Sequence, residues 1–333
     1  MVMKSLLRLV FWSLLLLSVP IVALPALVTH AWADGPWPQK PVRIVVPFPG
    51  GGSADALCRI VGEKLSETWK QPVIVDNRPG AGGNVGAEIV FHAPGDGYTL
   101  LCSPPGPLTI NQYLYKSLPY EAAKFAPITV LALVPNVLTA RKDLPANTAQ
   151  ELVAYAKANP GKVTYASQGN GSTSHLSAQM FATMAGVEMV HVPYKGEGPA
   201  LVDITASRVD IFIGNIAAAL RFEKAKEVKF LGLAARNRSP VAPNVPDAAE
   251  IGMPNLIASA WFALAAPPGT PDTIVQKVNA DAAAALKLAD VREKFLAQGA
   301  EPVGQSTAAT AAFFKEEETR WSAVIKTANV TLE

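Results

Sequence analysis

The sequence predicts an α/β protein built from two lobes, with mostly parallel strands. Short β-branched runs alternate with amphipathic helical stretches, two sets of such units follow one another, and longer apolar runs separate the sets. The roughly 300 residues that follow the N-terminal segment exceed one comfortable hydrophobic core, which also favours two lobes.

Residues 1–33 are typical of a secretory signal peptide. Lys4 and Arg8 form a basic start, a long apolar stretch follows, and the tripeptide AWA ends at Ala33 with the small residues that signal peptidase recognises. We therefore expect export, with cleavage after Ala33. The apolar stretch is also long enough to span a bilayer, so a retained membrane anchor is the alternative.

The charge balance argues against nucleic acid as a partner. The chain has 29 basic and 27 acidic residues, and removal of residues 1–33 takes away only Lys4 and Arg8, which leaves equal numbers. No basic stripe is visible, whereas phosphate binding needs one. The cysteines, Cys58 and Cys102, match no metal motif; a disulfide and two buried free thiols both remain open.

The first set of strands and helices is followed by a first crossing of the chain between the lobes. Strands are predicted at 43–46, 73–75 and 98–102, and helices at 54–69 and 85–92. The apolar run 128–140 is then predicted to be a strand that crosses between the lobes.

The second set of strands and helices begins at residue 149, and after it the chain returns to the first lobe. Helices are predicted at 150–159 and 172–185, strands at 162–167, 189–192, 209–213 and 230–233, and a Pro-rich loop at 236–256. Residues 260–266 are predicted to make the second crossing, with Trp261 and Phe262 packing in the hinge. Helices predicted at 272–288, 289–298 and 307–328 complete the chain. Within the last helix, KEEETR at 315–320 is interpreted as a solvated face. Two crossings predict a hinge, and a hinge predicts a cleft that closes on a ligand.

Four strand-to-helix turns carry the candidate binding chemistry. They are PFPGGGSADAL at 47–57, NRPGAGGNVGAE at 77–88, YASQGNGSTSHL at 165–176 and HVPYKGEGPAL at 191–201. The first amides of a helix lack internal partners and lie at the positive end of its dipole, so such turns bind anions. Two turns from each lobe are expected to meet in one cleft, and 104–108 with 259–261 to form its specificity-setting wall.

Two nucleotide-binding interpretations fail on the residues. A phosphate-binding Walker loop needs a lysine, but Ser53, Ala54 and Asp55 follow the triple glycine. The second glycine loop loosely resembles a dinucleotide fingerprint, but the next strand ends in Leu101-Cys102-Ser103 without the acidic residue that a ribose requires. No cofactor is expected.

These turns, together with PGDGYTLL and WFALAAPPGTP, resemble the tripartite tricarboxylate transporter solute receptors, also known as Bug or TctC-like proteins. The resemblance runs in order through nearly all of residues 37–333. It implies a two-lobed type II periplasmic binding protein fold, with residues 34–135 and 260–333 in lobe 1 and residues 136–259 in lobe 2. It also implies a periplasmic monomer that binds a small carboxylate and passes it to membrane transporter subunits.

The resemblance implies a set of ligand-binding residues. They are Phe48, Gly51, Gly52, Ser53, Asp55, Gly82, Asn84, Ser167, Asn170, Ser172, Thr173, Tyr194 and Lys195. Family members commonly have a glycine where Ser207 stands and an aspartate where Gly214 stands, so the floor of the second lobe departs from the pattern. Asn215, next to Gly214, is retained as a candidate.

Enzymatic activity is not expected, because no hydrolase elbow, metalloprotease motif or Cys-x-x-Cys pair occurs. An exported hydrolase would need a pair such as Ser172 and His175, which more simply belongs to a helix start. Neither catalytic nor metal-binding residues are therefore assigned. A ligand-sensing partner of a membrane sensor kinase is the alternative that keeps the fold.

Overall fold

The computed structural model describes residues 37–328. The predicted signal peptide and its cleavage site lie outside this range. No helix within it is both long and apolar enough to cross a membrane.

The chain alternates strands with helices, as the sequence predicts. The strands are β1 Val42–Val46, β2 Val73–Asn77, β3 Thr99–Ser103, β4 Ala126–Arg141, β5 Thr164–Ser167, β6 Val190–Pro193, β7 Ile211–Asn215, β8 Val228–Leu233, β9 Ser259–Ala266 and β10 Glu301–Pro302. The helices are α1 Ser53–Trp69, α2 Asn84–Phe91, α3 Asn111–Leu114, α4 Ala149–Ala158, α5 Thr173–Ala185, α6 Glu197–Thr205, α7 Ile216–Lys224, α8 Asp272–Lys287, α9 Ala289–Ala297 and α10 Thr307–Ala328. Helical turns lie at Ala81–Gly83, Gly106–Ile110 and Ala122–Lys124.

The first half of the sheet has the order β2-β1-β3-β9-β4. Strand β1 is parallel to both β2 and β3, with Val46 opposite Asn77. Because parallel strands end at the same edge, the loop after β1 and the loop after β2 begin side by side. Burial of Ile44, Leu57 and Leu100 packs α1 onto this sheet.

The second half has the order β4-β7-β5-β6. Strand β5 is parallel to β6 and β7, with Ser167 opposite Pro193. The loops that lead into α5 and α6 therefore also leave from one edge. The Tyr194 amide donates to the Ser167 carbonyl and the Gly196 amide to the Gln168 carbonyl, at 3.0 and 3.1 Å, which ties these two loops together.

Strand β4 belongs to both halves. It pairs with β9 from Ala126 to Pro135 and with β7 from Asn136 to Ala140. This is the first predicted crossing. The chain returns just before β9, where the Ala258 amide donates to Ala234 and its carbonyl accepts from Asn136. Among residues 37–328, β9 pairs with β3 and with the Ala126–Pro135 segment of β4, both in the first half, so the return lies slightly earlier than the predicted 260–266.

Sequence and structure differ at several elements. Helices α3 and α7 and the two-residue strand β10 were not predicted. Helix α7 does have a helical period, with Ile216, Ala219 and Leu220 on its buried face, and the sequence analysis overlooked it. The Pro-rich loop 236–256 contains neither helix nor strand, as predicted. Cys58 and Cys102 are both buried free thiols, and a hydrogen bond with Cys102 together with burial raises the pKa of Cys58.

The interpretation of 315–320 as a solvated face is wrong at one position. Glu317 is only 6% exposed, and its carboxylate accepts hydrogen bonds from the indole nitrogens of Trp261 and Trp321, at 2.7 and 3.0 Å. Glu316, its neighbour, is exposed. The helix therefore uses one acid of the run to anchor itself to the core.

Gly214 is required by packing against Phe212. A Cβ atom at this position would lie 2.0 Å from Cζ of Phe212, whose ring is fully buried. We predict that Gly214→Ala lowers the free energy of unfolding by about 1–3 kcal/mol through overpacking, measured by urea denaturation.

Two controls make this prediction specific. Gly198→Ala meets no heavy atom within 4 Å and lies in a helix, so it should leave stability unchanged or raise it by up to about 1 kcal/mol. Combining Gly214→Ala with Phe212→Leu should cost less than the two single costs added together. A Gly214→Ala variant as stable as wild type would contradict the account.

Candidate functional site

A cavity of about 650 Å³ lies where loops from the two halves of the sheet meet. The first half contributes Phe48 to Ala54 with Pro104, Ala260 and Phe262. The second contributes Gln168, Thr173, the segment 195–199 and residues from the end of β7 and from α7. Gln298, after α9, also lies on the wall. The predicted cleft is therefore present, lined from both sides.

The triple-glycine turn forms one wall. Gly52 is the N-cap of α1 in an extended conformation, and Gly51 has φ +84°, a region that favours glycine. Asp55 accepts hydrogen bonds from the Gly51 amide and the Arg59 guanidinium, both at 2.9 Å. Burial raises the pKa of Asp55, but these bonds outweigh it and the pKa is lowered. The ionised Asp55 thus shapes the turn, and the first amides of α1 remain free for a ligand.

The opposite wall is built from helix starts of the second half. Thr173 begins α5, and Ser172 before it caps this helix by accepting from the His175 amide. The loop after β6 places Lys195 and Glu197 at the start of α6. The combined wall offers amides, hydroxyls and a few charged side chains.

Half of the predicted binding residues line this cavity. These are Phe48, Gly51, Gly52, Ser53, Thr173, Lys195 and Asn215. The other predicted residues do not: Asp55, Gly82, Asn84, Ser167, Asn170, Ser172 and Tyr194.

The residues of the second glycine loop have structural partners instead. The Asn84 side-chain oxygen accepts hydrogen bonds from Asn111 and Tyr120, and Asn84 is 4% exposed. The Gly82 carbonyl accepts from the same Asn111 amide. Asn84 therefore fixes the loop to the start of α3 and to Tyr120, and its side-chain oxygen is occupied.

Three of the remaining four hold loops rather than line the cavity, and the fourth, Asn170, is exposed. The Ser167 hydroxyl contacts His191 Nε2 at 2.7 Å, and the Tyr194 hydroxyl donates to Asp203 at 2.6 Å. Ser172 is used as the cap of α5.

The sequence analysis missed several lining residues. Glu197 stood inside a quoted motif but was not selected, and Arg221 and Lys224 lie on the helix α7 that was not predicted. Gln168 was also missed. From the predicted specificity wall, Pro104 and Ala260 line the cavity, whereas the fully buried Trp261 does not.

The surroundings of Glu197, in the cavity wall, shift its pKa. Its carboxylate accepts from the side-chain amide of Asn215 and, across the cleft, from the Ser53 hydroxyl at 3.5 Å. Burial raises the pKa of Glu197 to about 7, although both hydrogen bonds act in the opposite direction. A carboxyl group that titrates near neutrality therefore faces the ligand space.

The geometry gives no support to a serine–histidine dyad. The Ser172 hydroxyl donates to the Gly169 carbonyl at 2.6 Å, while His175 Nδ1 accepts from the Gly171 amide. The His175 ring stacks on His191 with centroids 4.0 Å apart, and burial lowers the pKa of both rings to about 4. Within residues 37–328, no three His, Cys, Asp or Glu side chains come together as a metal site requires.

Comparison with known proteins agrees with this architecture. Residues 57–330 match the model of the tripartite tricarboxylate transporter family receptor. An R. palustris protein solved with adipate, Rpa4515, is 38% identical, with a TM-score of 0.85 over 89% of this chain and 99% of that one.

Two further solved structures are similar over nearly their whole length. The periplasmic binding protein BugD is 32% identical, with a TM-score of 0.81 over 89% of this chain and 100% of its own. MatC from Rhodopseudomonas palustris, solved with malate, is 34% identical, with a TM-score of 0.80 over 86% of this chain and 99% of its own.

Proposed function

Because this chain belongs to the tripartite tricarboxylate transporter receptor family, we propose that it captures a small carboxylate in the cavity and delivers it to membrane transporter subunits. The solved relatives are solute-binding receptors, and two were solved with adipate or malate. We further propose that the chain acts as a monomer in the periplasm after cleavage behind Ala33, as family membership favours.

One observation carries the proposal: helix starts from both halves of the sheet line one cavity. The wall includes the first residues of α1, α5 and α6. Each start offers unpaired amides and a positive dipole end, and hydrogen bonds to a charged group are worth about 1.5–3 kcal/mol each. Three or four such bonds suffice for micromolar affinity, about −8 kcal/mol, after ordering costs.

The proposed lobes keep the predicted boundaries, 34–135 with 260–333 and 136–259. Two observations support these boundaries. Strand β4 pairs with β9 up to Pro135 and with β7 from Asn136, and the chain returns to the first half at Ala258. The two connections between the halves are adjacent, so a small rotation about them would open the cavity.

Calorimetric titration of the purified protein tests the binding proposal. The panel should contain dicarboxylates, including adipate and malate, amino-carboxylates such as glutamate, and monocarboxylates. We expect micromolar binding of at least one carboxylate and no binding of matched amides. Absence of binding by every carboxylate would contradict the proposal.

A proline substitution separates the contribution of an amide from that of a side chain. Ser53 is the first residue of α1, where proline is favoured, and Gly52 before it is extended, as a residue before proline requires. We predict that Ser53→Pro, which removes one amide donor, weakens carboxylate binding at least about tenfold. Ser53→Ala keeps the amide and should cost less. Equal losses in both variants would show that the hydroxyl, and not the amide, matters.

Transport and sensing are distinguished in cells. Deletion of the gene should abolish high-affinity uptake of the radiolabelled ligand found by titration, and a plasmid copy should restore it. Unchanged uptake with a lost transcriptional response to the ligand would favour the sensor-kinase partner instead.

A further inference from the structure

We propose that Glu197 makes this receptor selective for amino-carboxylates, acids that carry an ammonium group besides their carboxylate. The inference rests on the proposed carboxylate-binding function and names the ligand class of the same cavity. In this role Glu197 and Asn215 receive the ammonium group, and amides of the helix starts receive the carboxylate.

Glu197 is the single acid among the residues that line the cavity, counting residues 37–328. It is the first residue of α6, so its side chain is fixed by a helix rather than by a mobile loop. One carboxylate oxygen accepts from Asn215, and the other contacts Ser53 at 3.5 Å, a long and weak bond. Each oxygen keeps capacity for a further donor.

Asn215 supplies an independent observation. The residue is 3% exposed, and its side-chain oxygen has no hydrogen-bond partner in the part of the chain that the structure describes. Because its nitrogen donates to Glu197, the oxygen is left as an acceptor. Other buried polar atoms among residues 37–328 also have no partner, but Asn215 is the one such residue that lines the cavity, where a ligand can bring a donor to it.

An ammonium group satisfies both residues at once. It has three N–H donors and no acceptor, whereas the site presents a carboxylate and an unpaired amide oxygen. A second ligand carboxylate at the same place would meet two acceptors and a like charge. The local chemistry therefore favours an ammonium over the second carboxylate of a simple dicarboxylate.

The other charged side chains of the cavity wall are basic. Lys195, Arg221 and Lys224 line the cavity, and none of the three belongs to an ion pair found among residues 37–328. With the helix-start amides, these cations suit carboxylate groups of the ligand. One acidic position within a basic, amide-rich cavity matches a molecule that carries both signs of charge.

The test compares ligands that differ only by the ammonium group. Calorimetric titration at pH 8 with glutamate against glutarate, and with 2-aminoadipate against adipate, should give at least tenfold tighter binding of the amino acid in one pair. Glu197→Gln, which keeps the size and the bond to Asn215, should weaken that amino acid at least tenfold and leave the matching dicarboxylate unchanged or tighter. Glu227→Gln, the same change at an exposed position outside the cavity, should behave as wild type.

The outcomes separate this inference from the proposed function. Tighter binding of the dicarboxylate in both pairs, or an unchanged preference in Glu197→Gln, overturns the inference and leaves carboxylate binding intact. Absence of binding by all four acids and by the wider carboxylate panel overturns both. The wild-type comparison decides even if the variant does not fold, which circular dichroism would reveal.

Discussion

Replacing Glu317 with alanine is expected to lower the free energy of unfolding by about 3–5 kcal/mol, because it breaks a buried charged network. The Glu317 carboxylate accepts from Trp261 and Trp321 and pairs with Arg320 at 2.7 Å. Its removal leaves two buried indole N–H groups without an acceptor. Each such group carries a desolvation cost of about 1–3 kcal/mol.

Glu317 contacts indoles that belong to two different apolar clusters. Trp261, on β9, belongs to the apolar cluster that includes Val45 and Leu101. Trp321 belongs to another, which includes Leu138 and Phe181 of the second half. Helix α10 thus contacts both clusters, and Glu317 joins the indoles that anchor it.

Urea denaturation followed by circular dichroism measures the cost. Glu316→Ala, one residue away and exposed, is the matched control and should change stability by less than about 0.5 kcal/mol. Similar midpoints for Glu317→Ala and wild type would refute the anchoring role of this network.

The elements that the sequence predicted well are those with strong local signals. Helix α10 was predicted with the bounds that the structure gives, and α1 differs by one residue, because each has a clear helical period. The glycine turns were recognised because glycine, a strand end and a helix start are adjacent in sequence. Of those turns, three supply the walls of the cavity.

The failures arise where a side chain takes its partner from a distant segment. Asn84 resembles a ligand contact within its own motif, but Asn111 and Tyr120 already occupy it. The same applies to Glu317, whose run of charges gives no sign of the indole 56 residues earlier. Glu197 is the converse case, since it contacts Ser53 at a separation of 144 residues. Such pairings depend on how the two halves meet, which local pattern does not encode.

The affinity for an amino-carboxylate should fall about 100-fold between pH 8 and pH 5 if Glu197 receives its ammonium group. Burial raises the pKa of Glu197 to about 7 in the unliganded protein, so it is mostly ionised at pH 8 and protonated at pH 5. An ammonium requires the ionised carboxylate, and binding below pH 7 must therefore release a proton. Each pH unit below the pKa then costs about tenfold in affinity, or 1.36 kcal/mol.

No other acid among residues 37–328 lines the cavity. Free carboxylates of the ligand have pKa values of about 4, below the range from pH 5 to pH 8. Burial lowers the pKa of His175 and His191 to about 4, and neither ring lines the cavity. Glu197→Gln should therefore bind the same amino acid weakly and with little change from pH 8 to pH 5.

The unliganded protein should respond to pH in the opposite direction. A buried acid whose pKa rises from 4.5 to about 7 on folding imposes no penalty while protonated, and its destabilising effect grows as the pH rises through that interval. Glu197→Gln removes this effect, so its melting temperature relative to wild type should increase from pH 5 to pH 8. On acidification, the affinity of wild type should fall while its stability relative to Glu197→Gln rises. The two changes together identify one carboxyl group as the cause of both. If the affinity of wild type for the amino-carboxylate does not change between pH 8 and pH 5, Glu197 does not receive the ammonium group.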